Sequence, residues 1–172
     1  MAQERKGAVT LKGNPLTVEG LPPKVGDSAP QFTVYKGLND PLDSKALSGK
    51  VRFISVVPSL DTSICDLQTN RFNEEASKIG NVEWLTISVD TPMAQSRWCG
   101  AAGAKNIKVL SDYKDHDFGM NFGVYVKELG LLQRSIFIIG KDDKVKYVQI
   151  VPEIAQHPDY DQALSALKTA LN

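Results

Sequence analysis

Cys65 closes the stretch Val56-Val57-Pro58-Ser59-Leu60-Asp61-Thr62-Ser63-Ile64-Cys65, where an apolar run gives way to a turn and then to a helix start. Val51 to Val57 is mostly apolar and β-branched and reads as a strand. Pro58 stops it, because proline has no N–H to give to a ladder. Asp61, Thr62 and Ser63 can each accept from the free N–H groups at a helix start, and Ser63-Ile64-Cys65-Asp66 fits a loose capping box. Whichever residue caps, Cys65 falls in the first turn, where unpaired N–H groups and the positive dipole end favour an anion. A thiol there ionises below its free value of about 8.5, and the thiolate is the reactive form. Read by helical face alone, the same residue is a silent core thiol, since Cys65, Phe72, Ala76 and Ile79 form one apolar stripe. A core thiol needs no strand–Pro–Thr–Cys lead-in.

The second cysteine lies in Gln95-Ser96-Arg97-Trp98-Cys99-Gly100-Ala101-Ala102-Gly103-Ala104. Glycines and alanines after Cys99 weaken the helix end and leave little bulk to hold it. Such a segment can move at small cost and carry a thiol to meet another. The plainer alternative is a helix-terminal cysteine packed near Trp98. A low-pKa cysteine with a separate resolving cysteine is the arrangement expected of a thiol that passes through sulfenic acid. One charge is oddly placed: Arg134 leads the apolar run Ser135 to Ile139. It reads either as a strand-edge residue reaching solvent or as a fixed cation for the sulfur.

The elements that must position these groups alternate along the chain. A hairpin from about Lys6 to Val18 turns at Gly13-Asn14-Pro15, and Gly20 to Pro30 is a proline-punctuated connector. Phe32 to Tyr35 is a strand, Gly37 to Pro41 a turn, and Asp43 to Leu47 one helical turn. Val51 to Val57 is a central strand buried on both sides. A helix runs from about Ser63 to Ile79 and ends at Gly80. Glu83 to Val89 is the next strand, and a helix starts at Thr91-Pro92 and runs to about Trp98. Lys108 to Leu110 is a short strand and Tyr113 to Met120 is helical. Gln133 to Ile139 and Lys144 to Val151 form an antiparallel pair, and Tyr160, Leu164, Leu167 and Leu171 mark a closing amphipathic helix from about Asp159. The pattern is an α/β layer arrangement with helices on both faces of a mixed sheet. Residues 1–172 read as a single domain.

Composition excludes several classes. Twenty basic and twenty acidic residues cancel and no basic run stands out, so nucleic acid and anionic membranes are poor partners. No apolar run reaches the roughly 20 residues of a bilayer span. The polar start Met1-Ala2-Gln3-Glu4-Arg5-Lys6 does not resemble an export signal, which implies a cytoplasmic protein. Two cysteines 34 positions apart are neither a disulfide scaffold nor Cys-x-x-Cys. His116 and His157 show no ligand spacing with them, read as surface residues, and suggest no metal site. No nucleotide-binding glycine motif is present, so no cofactor is expected.

Pro58-x-x-x-Thr62-x-x-Cys65, with Arg134 downstream, resembles the active-site motif of the peroxiredoxins. The hairpin around Gly13-Asn14-Pro15, Arg97-Trp98-Cys99-Gly100 and Leu131-Leu132-Gln133-Arg134-Ser135 resemble their thiol peroxidase branch. That resemblance covers nearly the whole chain. It implies a thioredoxin-like fold with an added N-terminal β-hairpin, and reduction of hydroperoxides without metal or organic cofactor. Cys65 is then the residue oxidised to sulfenic acid. Cys99 then resolves it as an intramolecular disulfide, which a thioredoxin-like reductant reopens, and the protein is a homodimer. The chemistry agrees with the residues: O–O cleavage needs a thiolate and donors for charge on both oxygens. The N–H groups of Ser63 to Cys65, the Thr62 hydroxyl and Arg134 supply them, and Pro58 shields the sulfur. Trp98 replaces a smaller aromatic, and Asp66 must point away from the thiolate. A disulfide over this span would also stabilise the fold by about 4 kcal/mol. Two other readings stay open: a dithiol–disulfide exchange protein, disfavoured by the missing Cys-x-x-Cys, and a structural α/β module with an incidental disulfide.

Overall fold

The computed structural model describes residues 2–172. Its elements in chain order are β1 (Glu4–Leu11), β2 (Asn14–Glu19), β3 (Thr33–Gly37), β4 (Asp40–Asp43), a 3-10 turn (Ser44–Leu47), β5 (Val51–Val56), α1 (Ser63–Ala76), β6 (Val82–Ser88), α2 (Pro92–Ala102), β7 (Lys108–Ser111), α3 (Asp117–Asn121), β8 (Tyr125–Val126), β9 (Leu131–Leu132), β10 (Ser135–Ile139), β11 (Val145–Ile150) and α4 (Tyr160–Leu171). Seven strands form the central sheet in the order β11-β10-β5-β6-β7-β3-β4, and β1-β2-β8-β9 form a second. β5, β6 and β7 are parallel, while β10, β11, β3 and β4 add antiparallel edges. This is the mixed sheet flanked by helices that the alternation implies.

Side chains of the central strands alternate between two cores, as a period of two requires. Val51 and Phe53 of β5, Trp84 of β6 and Ile136 and Ile138 of β10 pack with Phe72 of α1 and Leu164 and Leu167 of α4. Ile54, Val56, Leu85, Ile87, Phe137 and Ile139 point the other way, onto Phe118 and Phe122 around α3. Among the described residues, no helix is long and apolar enough to cross a membrane.

Several boundaries depart from the sequence expectation for physical reasons. The hairpin turns at Lys12-Gly13, both at positive φ, while Pro15 sits inside β2 opposite Thr10. Helix α1 stops at Ala76 and not at Gly80. The Ser77 and Lys78 N–H groups revert to bonds three residues back, and the Ser77 hydroxyl donates to the Glu74 carbonyl. Helix α2 runs past Trp98 to Ala102 and is closed by Gly103 in the left-handed region, so Cys99 lies within it. The expected turn at Gly37 to Pro41 is a tight hairpin about Asn39, with Pro41 in the edge strand β4. In place of the expected Tyr113–Met120 helix a shorter one, Asp117–Asn121, forms after His116 adopts the left-handed conformation. His116 is half-buried, with its ring against that of Tyr125. Strand β10 begins at Ser135, leaving Gln133 and Arg134 in the approach.

The N-terminal hairpin is docked on the segment after β11. Thr10 exchanges backbone bonds with Pro152 and Ile154. The Glu153 carboxylate accepts from the Thr10 hydroxyl at 2.6 Å and from the N–H groups of Lys12 and Gly13. These donors, the hydroxyl foremost, hold its carboxyl down at about 2. Gly20 and Gly123 let the chain cross itself beneath, since a Cβ on either would meet backbone at 2.3 Å.

Asp112, 1% exposed, ties the end of β7 to α3 by accepting from the N–H groups of Phe118 and Gly119 at 2.9 and 2.8 Å. Burial outweighs those donors and pushes its carboxyl up to about 7. A folded-state value raised above the unfolded one stabilises the fold fully below the unfolded value, and that stability is lost as pH rises through about 7. Urea unfolding of wild type and Asp112→Asn at pH 4.5 and 7.5 reads this directly. The wild type loses about 3 kcal/mol relative to the variant as pH rises. A difference that does not move with pH means that Asp112 is held ionised by its two donors.

Candidate active site

The strand-to-helix handover is built from both ends. The Val57 N–H extends the parallel ladder to Ile87, and Pro58, buried, ends it. Asp90, just beyond β6, then grips the turn: it accepts from the Ser59 hydroxyl at 2.7 Å and the Leu60 N–H at 2.8 Å. Asp90 also takes the Ser88 hydroxyl, which receives a bond from Gln95 of α2. Thr62 is the N-cap of α1 with no side-chain cap bond, and the first intrahelical bond runs from Asp66 N–H to its carbonyl. The N–H groups of Ser63, Ile64 and Cys65 have no partner among the described residues. Cys65 is therefore the third residue of a helix whose first turn still offers its donors.

The sulfur is 0% exposed, in a small cluster with Val57, Leu60 and the partly buried Trp98. Arg134 reaches it from just before β10, where Ser135 pairs with Val56 at the end of β5. This guanidinium is 1% exposed, and its Nη2 lies 3.4 Å from Cys65 Sγ. Nη1 donates to Gln68 Oε1 at 2.9 Å, while Nε and Nη2 both donate to the Ile154 carbonyl. Gln68 is fixed in turn by the Ser55 hydroxyl of β5. Burying a guanidinium costs several kcal/mol unless its donors are used and its charge is met. All four bonds here end on an amide oxygen, a carbonyl or the sulfur, and none on a carboxylate.

Cys65 and Arg134, 69 positions apart in the chain, are brought into contact here. Thr62 is exposed and its hydroxyl donates to the Ser59 carbonyl at 3.2 Å, so in this conformation it is not turned to the sulfur. Cys99 stands half-buried on α2, both thiols are free, and burial pushes the Cys99 thiol up. Asp66 is not a capping-box partner. Its Oδ1 accepts from the Trp98 indole at 2.8 Å. Gln68, Asp90 and the Ile154 carbonyl belong to the site and were not singled out by sequence. Only Gln68 left a trace, as a polar residue one turn beyond Cys65.

A model of the redoxin family matches residues 24–164. The chain is 51% identical over 164 residues to a thiol peroxidase of Halalkalibacterium halodurans, covering 95% of this chain and 99% of that one. It is 51% identical over 163 residues to a thiol peroxidase of Bacillus subtilis, covering 93% and 96%. Among solved structures, a peroxiredoxin-like protein from Aquifex aeolicus superposes with a TM-score of 0.88 at 38% identity, over 96% of this chain and 99% of that one. The fold is thus the thioredoxin-like one shared by peroxiredoxins. With a buried arginine on the sulfur and half of its residues in common with these relatives, the chain belongs to the redoxin family, in its peroxiredoxin-type thiol peroxidase branch.

Proposed function

We propose that the chain is a thiol-dependent peroxidase for hydrogen peroxide and alkyl hydroperoxides, with Cys65 as nucleophile and Cys99 as resolving thiol. The observation that carries this reading is Cys65 Sγ in the open first turn of α1, 3.4 Å from the buried Arg134. The thiolate attacks one peroxide oxygen; an S–O bond forms, the O–O bond breaks, and its electron pair leaves on the second oxygen. That oxygen takes a proton and departs as alcohol or water, and the sulfur, oxidised by two electrons, is a sulfenic acid. Arg134 and the N–H groups of Ser63 to Cys65 face the charge as it develops. Thr62 joins them by turning from the Ser59 carbonyl to the incoming oxygen, and Pro58 keeps bulk water from the sulfur.

The Cys99 sulfur then attacks the sulfenic sulfur, forming the disulfide and releasing the hydroxyl as water with the thiol proton. A thioredoxin-type dithiol restores both thiols by exchange. We read residues 1–172 as one peroxidase domain, working as a cytoplasmic homodimer. The test is a trapping experiment on reduced Cys99→Ser with one equivalent of hydrogen peroxide and a sulfenic-acid reagent. Mass spectrometry is expected to place near-stoichiometric label on Cys65. An unlabelled, still reduced Cys65 in folded protein rejects the assignment.

A further inference from the structure

Trp98 precedes Cys99 and Asp66 follows Cys65, and these two neighbours are bonded to each other. The indole Nε1 donates to Asp66 Oδ1 at 2.8 Å, and the ring packs against the cluster of Val57, Leu60 and Cys65. Resting on the peroxidase reading above, we propose that the Trp98–Asp66 bond is a latch on the reduced form that must open before Cys65 and Cys99 can join, so that it sets the rate of disulfide formation.

Helix geometry makes the bond and the disulfide exclusive. Successive residues on a helix are rotated by about 100°. With Trp98 tied to Asp66 and its ring packed against the cluster that holds Cys65, Cys99 is turned about that far round α2 and is not part of the cluster. A disulfide needs the two Cα atoms within about 7 Å and the sulfurs at bonding distance. Cys65 is 0% exposed and closed in by the cluster that Trp98 packs against, so the first turn of α1 or the last turns of α2 must unwind for Cys99 to reach it. The latch joins those two segments directly. Asp90 holds the turn before α1, and Gln95 of α2 reaches the same network, but neither bond sits between the two cysteine-bearing turns. Asp66 faces the Trp98 indole, while the cation nearest Cys65, Arg134, is committed to Gln68, Ile154 and the sulfur. A slow latch lengthens the life of the sulfenic acid and exposes it to a second peroxide.

The experiment is rapid-quench mass spectrometry of reduced wild type, Asp66→Ala and Asp66→Asn after peroxide addition, following sulfenic acid and disulfide separately. Alanine removes the acceptor, and the sulfenic acid is expected to convert to disulfide about fivefold faster. Asparagine keeps an oxygen for the indole and loses only the charge, so its conversion is expected within about twofold of wild type. Trp98→Phe keeps the ring and loses the N–H, and is expected to match Asp66→Ala even if that variant folds poorly. Conversion no faster in Asp66→Ala and Trp98→Phe overturns the latch. So does equal acceleration by asparagine and alanine, which assigns the effect to charge. Wild type that consumes peroxide without ever forming the disulfide overturns the resolving role of Cys99, and the latch with it.

Discussion

Cys65→Ser is expected to lower reductant-dependent peroxide consumption by at least about 10⁴-fold, to the level of the reductant alone. Serine fits the space, because the sulfur occupies a closed cluster with Val57 and Leu60 and makes one polar contact, to Arg134. The fold is retained and only the chemistry goes: a neutral hydroxyl is a poor nucleophile toward O–O and forms no sulfenic acid. The measurement is residual peroxide over time with a dithiol reductant, alongside circular dichroism. Consumption at the wild-type rate would send the reaction elsewhere on the molecule. It would also remove any reason for the buried guanidinium to sit where it does.

Arg134→Gln has the second largest effect, a fall of about 10²–10³ in the second-order rate constant for peroxide, the size found when one preorganised donor to developing charge is removed. The mutation also leaves the Gln68 oxygen and the Ile154 carbonyl short of donors inside the protein, at roughly 1–3 kcal/mol for each group. Activity and stability must therefore be read separately, by stopped flow with excess peroxide and by urea unfolding. Arg134→Lys separates charge from geometry. A compact ammonium cannot span Gln68, Ile154 and the sulfur as the planar fork does, so lysine is expected to fall between arginine and glutamine. A glutamine variant that reacts with peroxide as fast as wild type would confine Arg134 to structural support.

The strands were legible because both faces are filled. Val51 to Val56 and Ser135 to Ile139 are mostly apolar and buried along their whole length. Cys65 was legible from its lead-in, since a proline stop followed by Thr62 and Ser63 fixes where the helix begins. Arg134 could be noticed as a misplaced charge, yet no local pattern says that residue 134 meets residue 65; the resemblance to known peroxidases carried that step. Helix ends were the weak point. Gly100 argued for an early stop of α2, but the helix runs on to Ala102 and is closed by Gly103, left-handed and donating its N–H to the Cys99 carbonyl. Strands β8 and β9 have two residues each and are defined by their long-range ladder, β8 pairing with β2 and β9 with β8. The side chains that brace the sulfur, Gln68 and Asp90, are ordinary polar residues until the fold buries one and points the other at a turn.

The docking of the N-terminal hairpin gives its small tip an influence out of proportion to its distance. Glu153 clasps the Lys12-Gly13 bend, and the very next residue lends its carbonyl to two nitrogens of Arg134. Inserting or deleting a residue at that bend would therefore be felt as a misaimed guanidinium. The ribbon's length belongs to the enzyme's tolerances as much as its cysteines do.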